Sequence, residues 1–373
     1  MKNTTRWLLA ATAALAMVAT SACSPSADTN AGPSEDTGSS AFGGALGTPE
    51  QEAAMKDLYD AAIEAGESQV VIYGPTLNPN QRDAFQARFP GIELVSQTLQ
   101  GADRMTKLEQ EKASGNHAVD LVFDGRTPLL ALAGQDWCSP VESLYEVPAE
   151  YEGPEDKIQY SSLGLFGMVV NTTMMDVADA PKSWQDIADG TWSGHAAMSS
   201  PGIGGLAAAT LAAMLTPEEN AAELGMPVVE GLKKANITLV SSDPLTVQTV
   251  AQGEAPLGLL VFYPIYQAAK QQGAPIEFTV LEAGNNMWVK LGHCQIQGAP
   301  HPQASELYLN WLYSLEGQAT IAATGAYPVI PGSPAPTDLP PLDEVGLLNL
   351  LPDSETVAGY DPFIREVIGM FAG

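Results

Sequence analysis

Short apolar runs rich in β-branched residues alternate along this chain with segments whose apolar residues recur at helical spacing. That alternation dictates an α/β fold, with a mainly parallel sheet covered by helices on both faces. Thr48-Pro49-Glu50-Gln51 has the Thr and Gln of a capping box with Pro at the first helical position, and Met55, Leu58, Tyr59, Ala62 and Ile63 carry the helix to Gly66. Val70-Val71-Ile72-Tyr73 reads as a buried strand stopped by Gly74-Pro75, followed by a helix around Gln81 to Phe89 and a strand over Ile92 to Gln97. Asp103 is placed to cap a helix through Met105, Leu108 and Glu111, and Asp120 to Phe123 is a further strand.

The order repeats in the middle of the chain. Leu163 to Asn171 is a long apolar stretch, Ala196-Ala197-Met198 ends at Ser199-Ser200-Pro201-Gly202, and an Ala-rich helix follows from Leu206 to Leu215. Leu257 to Phe262 is a buried-strand run that ends at Tyr263-Pro264. Leu307, Tyr308, Trp311, Leu312 and Leu315 fall at helical spacing and read as core rather than as a ligand stripe. Residues 331–343 are Pro-rich and predict an irregular surface connection, and no internal repeat of solenoid length is visible.

With 373 residues, 45% of them hydrophobic and only 16% charged, the chain has the composition of about two globular domains rather than of a disordered segment. Its 44 acidic residues against 16 basic ones give a formal charge of −28, which repels nucleic acid at long range and excludes it as a partner. The acidity itself reads as a solvated surface.

The N-terminus places Lys2 and Arg6 before an uncharged apolar run from Trp7 to Val18, then Thr20-Ser21-Ala22 directly before Cys23. Residues 1–22 thus follow the plan of an export signal, with an apolar run too short to span a bilayer. The placement of Cys23 resembles the lipobox of bacterial lipoproteins, although Thr20 stands where Leu is usual. The resemblance implies a lipoprotein signal peptide, lipidation at Cys23 and anchorage to the outer face of the cell membrane. Residues 23–48 are poor in large apolar side chains and read as a flexible tether. In an oxidising compartment the remaining cysteines, Cys138 and Cys294, form an even pair for which a disulfide is expected, two separate buried thiols being the alternative. No metal-binding spacing accompanies either one.

Six segments in series carry a wider resemblance: Leu58 to Tyr73, Phe85 to Glu93, Leu108 to Phe123, Pro181 to Met198, Gly273 to Glu277, and His301 to Gln318. They resemble the extracellular solute-binding proteins of ABC importers, in the branch that includes ferric-ion, thiamine, polyamine and phosphonate binders. The resemblance implies a two-lobed, periplasmic-binding-protein-like fold of type II, with two crossover segments and hinge closure over a small-molecule solute. Mapped onto this chain, residues 50–163 plus 287–373 form lobe one and residues 164–286 form lobe two. Both Cys138 and Cys294 then fall in lobe one. A monomer without a cofactor, delivering its solute to a membrane permease, is implied as well.

In parallel α/β sheets ligands bind beyond the C-terminal ends of strands, which singles out five loops. The first two offer Thr76 and Asn78, and Gly101 and Asp103; the third offers Asp124 and Arg126. The fourth, Ser199 to Gly205, contributes Ser199, Ser200 and Gly202, and its Gly- and Ser-rich start suits either an anion at a helix N-terminus or an ordinary helix cap. Arg126 suits a carboxylate or phosphonate, or equally a salt bridge to a surface acid. The fifth loop holds Tyr263, the one residue here that would serve a ferric ion, but Pro264 separates it from Tyr266 and breaks the adjacent tyrosine pair of ferric binders. Trp288, near the return crossover, reads as packing.

The sequence thus ranks a small anionic organic solute, such as a phosphonate or carboxylate, ahead of ferric ion, and a polyamine on Asp124 and Asp243 behind both. There is no Gly-x-Ser-x-Gly elbow, Walker loop or His-Glu-x-x-His motif, and only four histidines: His117, His195, His293 and His301. A binding protein rather than an enzyme is expected, with a hydrolase or a structural surface lipoprotein on the same fold as the alternatives.

Overall fold

The computed structural model describes residues 46–203 and 205–372; the export segment, Cys23 and the tether up to residue 45 lie outside them. The first half reads α1 (Pro49–Glu64), β1 (Gln69–Gly74), α2 (Pro79–Arg88), β2 (Glu93–Thr98), α3 (Gly101–Ser114), β3 (Leu121–Gly125), α4 (Arg126–Ala133), β4 (Cys138–Ser139) and β5 (Gln159–Asn171). Then come α5 (Trp184–Ala188), β6 (Ala196–Ser199), α6 (Gly205–Leu215), α7 (Glu218–Glu223), α8 (Gly225–Lys234), β7 (Thr238–Val240), α9 (Asp243–Ala251), β8 (Leu257–Phe262), α10 (Tyr263–Gln271) and β9 (Ile276–Thr279). The chain closes with β10 (Trp288–Ile296), α11 (Pro302–Tyr313), α12 (Leu315–Ala323), β11 (Tyr327–Pro328) and α13 (Asp353–Phe371).

The capping box at α1 forms, with Thr48 N–H donating to Gln51 Oε1 at 2.9 Å and Gln51 N–H donating to the Thr48 hydroxyl at 3.3 Å. Asp103 does not cap α3: Gln100 holds that position and Asp103 lies inside the first turn. The single helix expected over Leu307 to Leu315 is broken at Ser314, which ends α11 and caps α12 through its hydroxyl.

The strands pair in the order β2-β1-β3-β10-β5-β8-β6-β7. The outer blocks are parallel, β2-β1-β3 at one side and β8-β6-β7 at the other, but β10 runs antiparallel to both β3 and β5, and β5 antiparallel to β8. The sheet is therefore mixed rather than mainly parallel, because the two strands at its centre are long-range returns and not products of βαβ units. Register carries the consequence. Gly125, at the end of β3, lies level with Leu291 and through it with Ser162 of β5, while Phe262, at the end of β8, lies level with Phe166 of β5. β3 runs with β5 and β8 runs against it, so the two parallel blocks point their C-terminal ends at each other.

The chain passes between the blocks inside β5 and again over residues 280–288. Beyond the two crossovers expected, residues 345–352 make a third passage beside the second, with Asn286 N–H donating to Gly346 O and Leu348 N–H to Asn286 O, both at 2.9 Å. The two backbones approach at Gly284 and Gly346, where a Cβ on Gly346 would lie 2.5 Å from Gly284 Cα. This passage delivers α13 to α6, and Tyr360 and Val367 join the core of Leu211, Val229 and Leu259. The C-terminal residues assigned by resemblance with 50–163 thus pack on the segment assigned as lobe two.

Cys138 and Cys294 are joined as a disulfide, with Cα atoms 5.5 Å apart, tying β4 to β10 across 156 residues of sequence. Immediately before Cys294 in β10 stands a less comfortable group: His293 is 3% exposed, stacked on Phe123 at 4.7 Å, and neither ring nitrogen has a partner among the described residues. Burial pushes its pKa down to about 3 from 6.5. In that window the unfolded chain binds a proton that the folded chain does not, so stability falls as pH drops from 6.5, by up to about 1.4 kcal/mol per pH unit.

We expect His293→Phe to flatten the pH dependence of urea unfolding by that amount without loss of stability at pH values above 6.5; an unchanged slope would assign the dependence to other groups. Replacing both Cys138 and Cys294 by Ser should cost about 2–5 kcal/mol in the same measurement.

Candidate functional site

The ends of β3 and β8 meet β5 at Ser162 and Phe166, and four residues of strand separate them by about 13 Å. That stretch of β5 lies in the gap between the two rows of strand ends. On one side stand the turns after β1, β2 and β3; on the other, those after β6, β7 and β8. All five loops singled out by the strand-end rule therefore belong to these two rims.

On the first rim, the exposed Thr76 hydroxyl lies 3.0 Å from that of Thr98, a residue at the end of β2 that the strand-end rule reaches but the sequence reading passed over. Asn78 turns away from solute chemistry, since its side chain caps α2 by accepting from Asn80 N–H at 2.9 Å. Gly101 opens α3 at φ +54°, a left-handed conformation suited to glycine, and Asp103 is exposed in the turn behind it. Asp124 is engaged internally: it pairs with the buried Arg104 and accepts from Gly125 N–H at 2.7 Å.

Arg126 takes the salt bridge that the sequence offered as the equal alternative to a solute contact. It is 5% exposed, its Nε donates to Asp353 Oδ1 at 2.5 Å, and a terminal nitrogen donates to Leu351 O. A guanidinium withdrawn from water needs a carboxylate, and α13 supplies it from 227 residues away in sequence. Lys290 reaches the same Asp353 oxygen at 3.5 Å; burial lowers its pKa and Asp353 opposes that shift. Trp288 packs as expected, its indole N–H donating to Leu348 O at 2.8 Å.

On the second rim, burial raises the pKa of the Asp243 carboxyl, and the nearby Ser199 opposes that shift. Ser200 accepts from Gly202 N–H at 3.3 Å. Gly202 is packed from outside, since a Cβ there would lie 2.5 Å from Phe371 O of α13. Tyr263 corrects the sequence reading: it is 2% exposed, set edge-on to Phe278 at 5.0 Å, and a Cβ on Gly325 would sit 2.2 Å from its ring. The ring fills the core instead of lining the gap.

Four of the helices that start at the gap leave their first N–H groups uncapped by side chains. Of the helices that follow the rim loops, α3, α4, α9 and α10 have no side-chain cap, whereas α2 is capped by Asn78; elsewhere α1, α5 and α12 are capped and α7, α8, α11 and α13 are not. Four helix N-termini converging on one space favour an anionic group there. The histidines lie elsewhere. His117 and His195 precede β3 and β6, His293 is buried within β10, and His301 Nδ1 is 3.0 Å from Asp120 at the start of β3. No histidine stands on either rim to act as a general base. Among the described residues no three His, Cys, Asp or Glu side chains converge as metal ligands.

Comparison with known proteins agrees with this geometry. Residues 80–343 match the family described as bacterial extracellular solute-binding protein. Among solved structures, iron-bound HitA from Pseudomonas aeruginosa superposes with a TM-score of 0.65 at 20% identity, over 80% of this chain and 99% of that one. AfuA from Actinobacillus pleuropneumoniae with bound fructose-6-phosphate gives 0.65 at 20%, over 81% and 98%. The Bordetella ferric binding protein gives 0.61 at 22%, over 81% and 99%. No protein in the curated set matches in sequence.

We expect Arg126→Ala to destabilise the fold by about 1–3 kcal/mol in denaturant unfolding, because it leaves the half-buried Asp353 with Lys290 alone at 3.5 Å and frees the Leu351 carbonyl. The joint replacement Arg126→Met, Lys290→Met and Asp353→Leu should recover most of that loss; if it does not, the cluster is not the origin of the effect.

Proposed function

The chain belongs to the bacterial extracellular solute-binding proteins, and from that premise we propose that it is the lipid-anchored receptor of an ABC importer, holding a small organic solute by its anionic group. The observation that carries this reading is the head-on convergence of two blocks of strand ends, with the uncapped N-termini of α3, α4, α9 and α10 around the gap. In this reading residues 50–163 with 287–352 form one lobe, and residues 164–286 with α13 form the other. The lobes rotate about β5 and the two passages beside it. Solute hydroxyls and oxygens would be met by Thr76 and Thr98 on one rim and by Ser199 and Ser200 on the other.

Export through residues 1–22, acylation of Cys23 and a tether to residue 48 complete the proposal and would keep the receptor beside its permease. The sugar phosphate of AfuA carries the kind of anion that helix N-termini accept. The iron of HitA is a poorer guide, because ferric ion demands hard anionic donors and the one tyrosine placed to supply them, Tyr263, is buried in the core.

Thermal unfolding of the whole chain, stripped of bound solute by partial unfolding and dialysis, tests this against phosphonates, phosphate esters, dicarboxylates, thiamine, polyamines and ferric citrate. A solute at 100 times its Kd should stabilise the fold by about 2.7 kcal/mol. Stabilisation by one class of organic anion, weakened about ten-fold by Thr76→Val or Ser200→Ala, is the expected result. Stabilisation by ferric citrate alone would replace the reading.

A further inference from the structure

The helix α13 is attached to the two blocks of strands by different physics. Toward the β8-β6-β7 block the attachment is apolar: Tyr360 and Val367 are buried in the cluster that holds Leu211 and Leu259, and Phe363, Ile364 and Ile368 pack against it. The carbonyl of Phe371 lies over Gly202, where a Cβ would come within 2.5 Å of it. The residues before the helix are held on the same side. Asn220 of α7 donates through its amide to Asn349 O at 2.8 Å and to Ala213 O of α6 at 2.7 Å. Leu351 N–H donates to the Tyr360 hydroxyl at 2.9 Å and the Thr356 hydroxyl donates to Pro352 O at 2.9 Å, which ties this stretch to the helix itself. Close packing transmits displacement, so residues 349–371 form one body with α6.

Toward the β2-β1-β3 block and its neighbour β10 the attachment is ionic. Arg126, directly after β3, donates from Nε to Asp353 Oδ1 at 2.5 Å and from a terminal nitrogen to Leu351 O. Lys290 of β10 reaches the same carboxylate oxygen at 3.5 Å. A cavity of 540 Å3 opens beside the three charges, lined by Arg126, Lys290 and Asp353 together with Glu150, Pro154 and Trp288. The side chains of Lys290 and Asp353 keep 12% and 18% of their surface exposed, so water reaches the cluster from that side. Such a contact parts at lower cost than an apolar face, because a movement that separates the charges also rehydrates them.

We propose that the Arg126–Asp353–Lys290 cluster is a clasp between the two blocks, joined in this structure and parted when the blocks rotate about β5, with α13 travelling on the block that carries α6. The clasp rests on the rotation proposed above but needs no solute. It sets the balance between joined and parted blocks before anything binds, and a solute held between the rims then shifts that balance further. A cation lost from the cluster therefore alters the resting arrangement of the protein and not only its stability.

Single-molecule energy transfer between dyes carried on unnatural amino acids at Gln110 of α3 and Glu230 of α8, both exposed, reads the separation of the blocks in the whole chain without solute. Asp353→Asn should raise the population of the wider separation at least about ten-fold over the unsubstituted protein. Lys290→Met, which leaves the Arg126–Asp353 pair in place, should raise it about three-fold and reads the same clasp if the first variant folds poorly. Asp361→Asn removes an equal charge from an exposed position of the same helix, paired within α13 to Arg365, and should leave the distribution unchanged. Two separations whose populations are the same with and without Asp353→Asn and Lys290→Met would overturn the clasp and leave the rotation standing. A rise of the same size in Asp361→Asn also overturns it, by tracing the effect to the charge of the helix. One fixed separation in every variant would overturn the rotation and the clasp together.

Discussion

The geometry of this protein depends on β5 belonging to two sheets at once. Gln159 to Leu165 pair with β10 and β11, and Phe166 to Asn171 pair with β8 and β9, while all thirteen residues are buried. A strand wetted on neither face can be this long only if partners and helices cover both of its halves. Gly164 and Gly167 keep the middle thin: a Cβ on either would come within 2.5 Å of Phe262 or Phe278. Because β3 and β8 reach β5 from opposite directions, the ends of both parallel blocks face the same four-residue stretch. The gap is a consequence of register, and it sits where the strand-end rule places ligands.

Around that gap the chain uses its scarce cations internally. Arg104 is consumed by Asp124, and Arg126 and Lys290 share Asp353. A buried cation left without its carboxylate is costly, so these pairs bind elements together and are not free to meet a solute. The Asp353 pairing also fastens the start of α13 to α4, while the end of the same helix rests on Gly202. One helix thus touches both rims, and on the first of them the hydroxyls of Thr76 and Thr98 and the carboxylate of Asp103 stay exposed.

The local features of the fold were legible in the sequence. The capping box at Thr48, the strand at Val70, and the turns after Tyr73, Phe123, Ser199 and Phe262 rest on residues a few positions apart, and each forms where its pattern lies. The disulfide was legible as well, because Cys138 and Cys294 are the two cysteines of the folded part and the sequence reading paired them. The antiparallel centre was not, since nothing in the composition of Trp288 to Ile296 says which strand it will join.

The candidate site divides along the same line. Sequence alone determined which loops stand at strand ends, because strand, turn and helix start are written in consecutive residues. Only the tertiary structure decided what their side chains are free to do. Arg126 reads as a ligand group until Asp353 arrives from the far end of the chain, and Tyr263 until Gly325 and Phe278 close over its ring. A side chain's availability depends on partners remote in sequence, and the energy of burying a charge or a ring is settled only when those partners are in place.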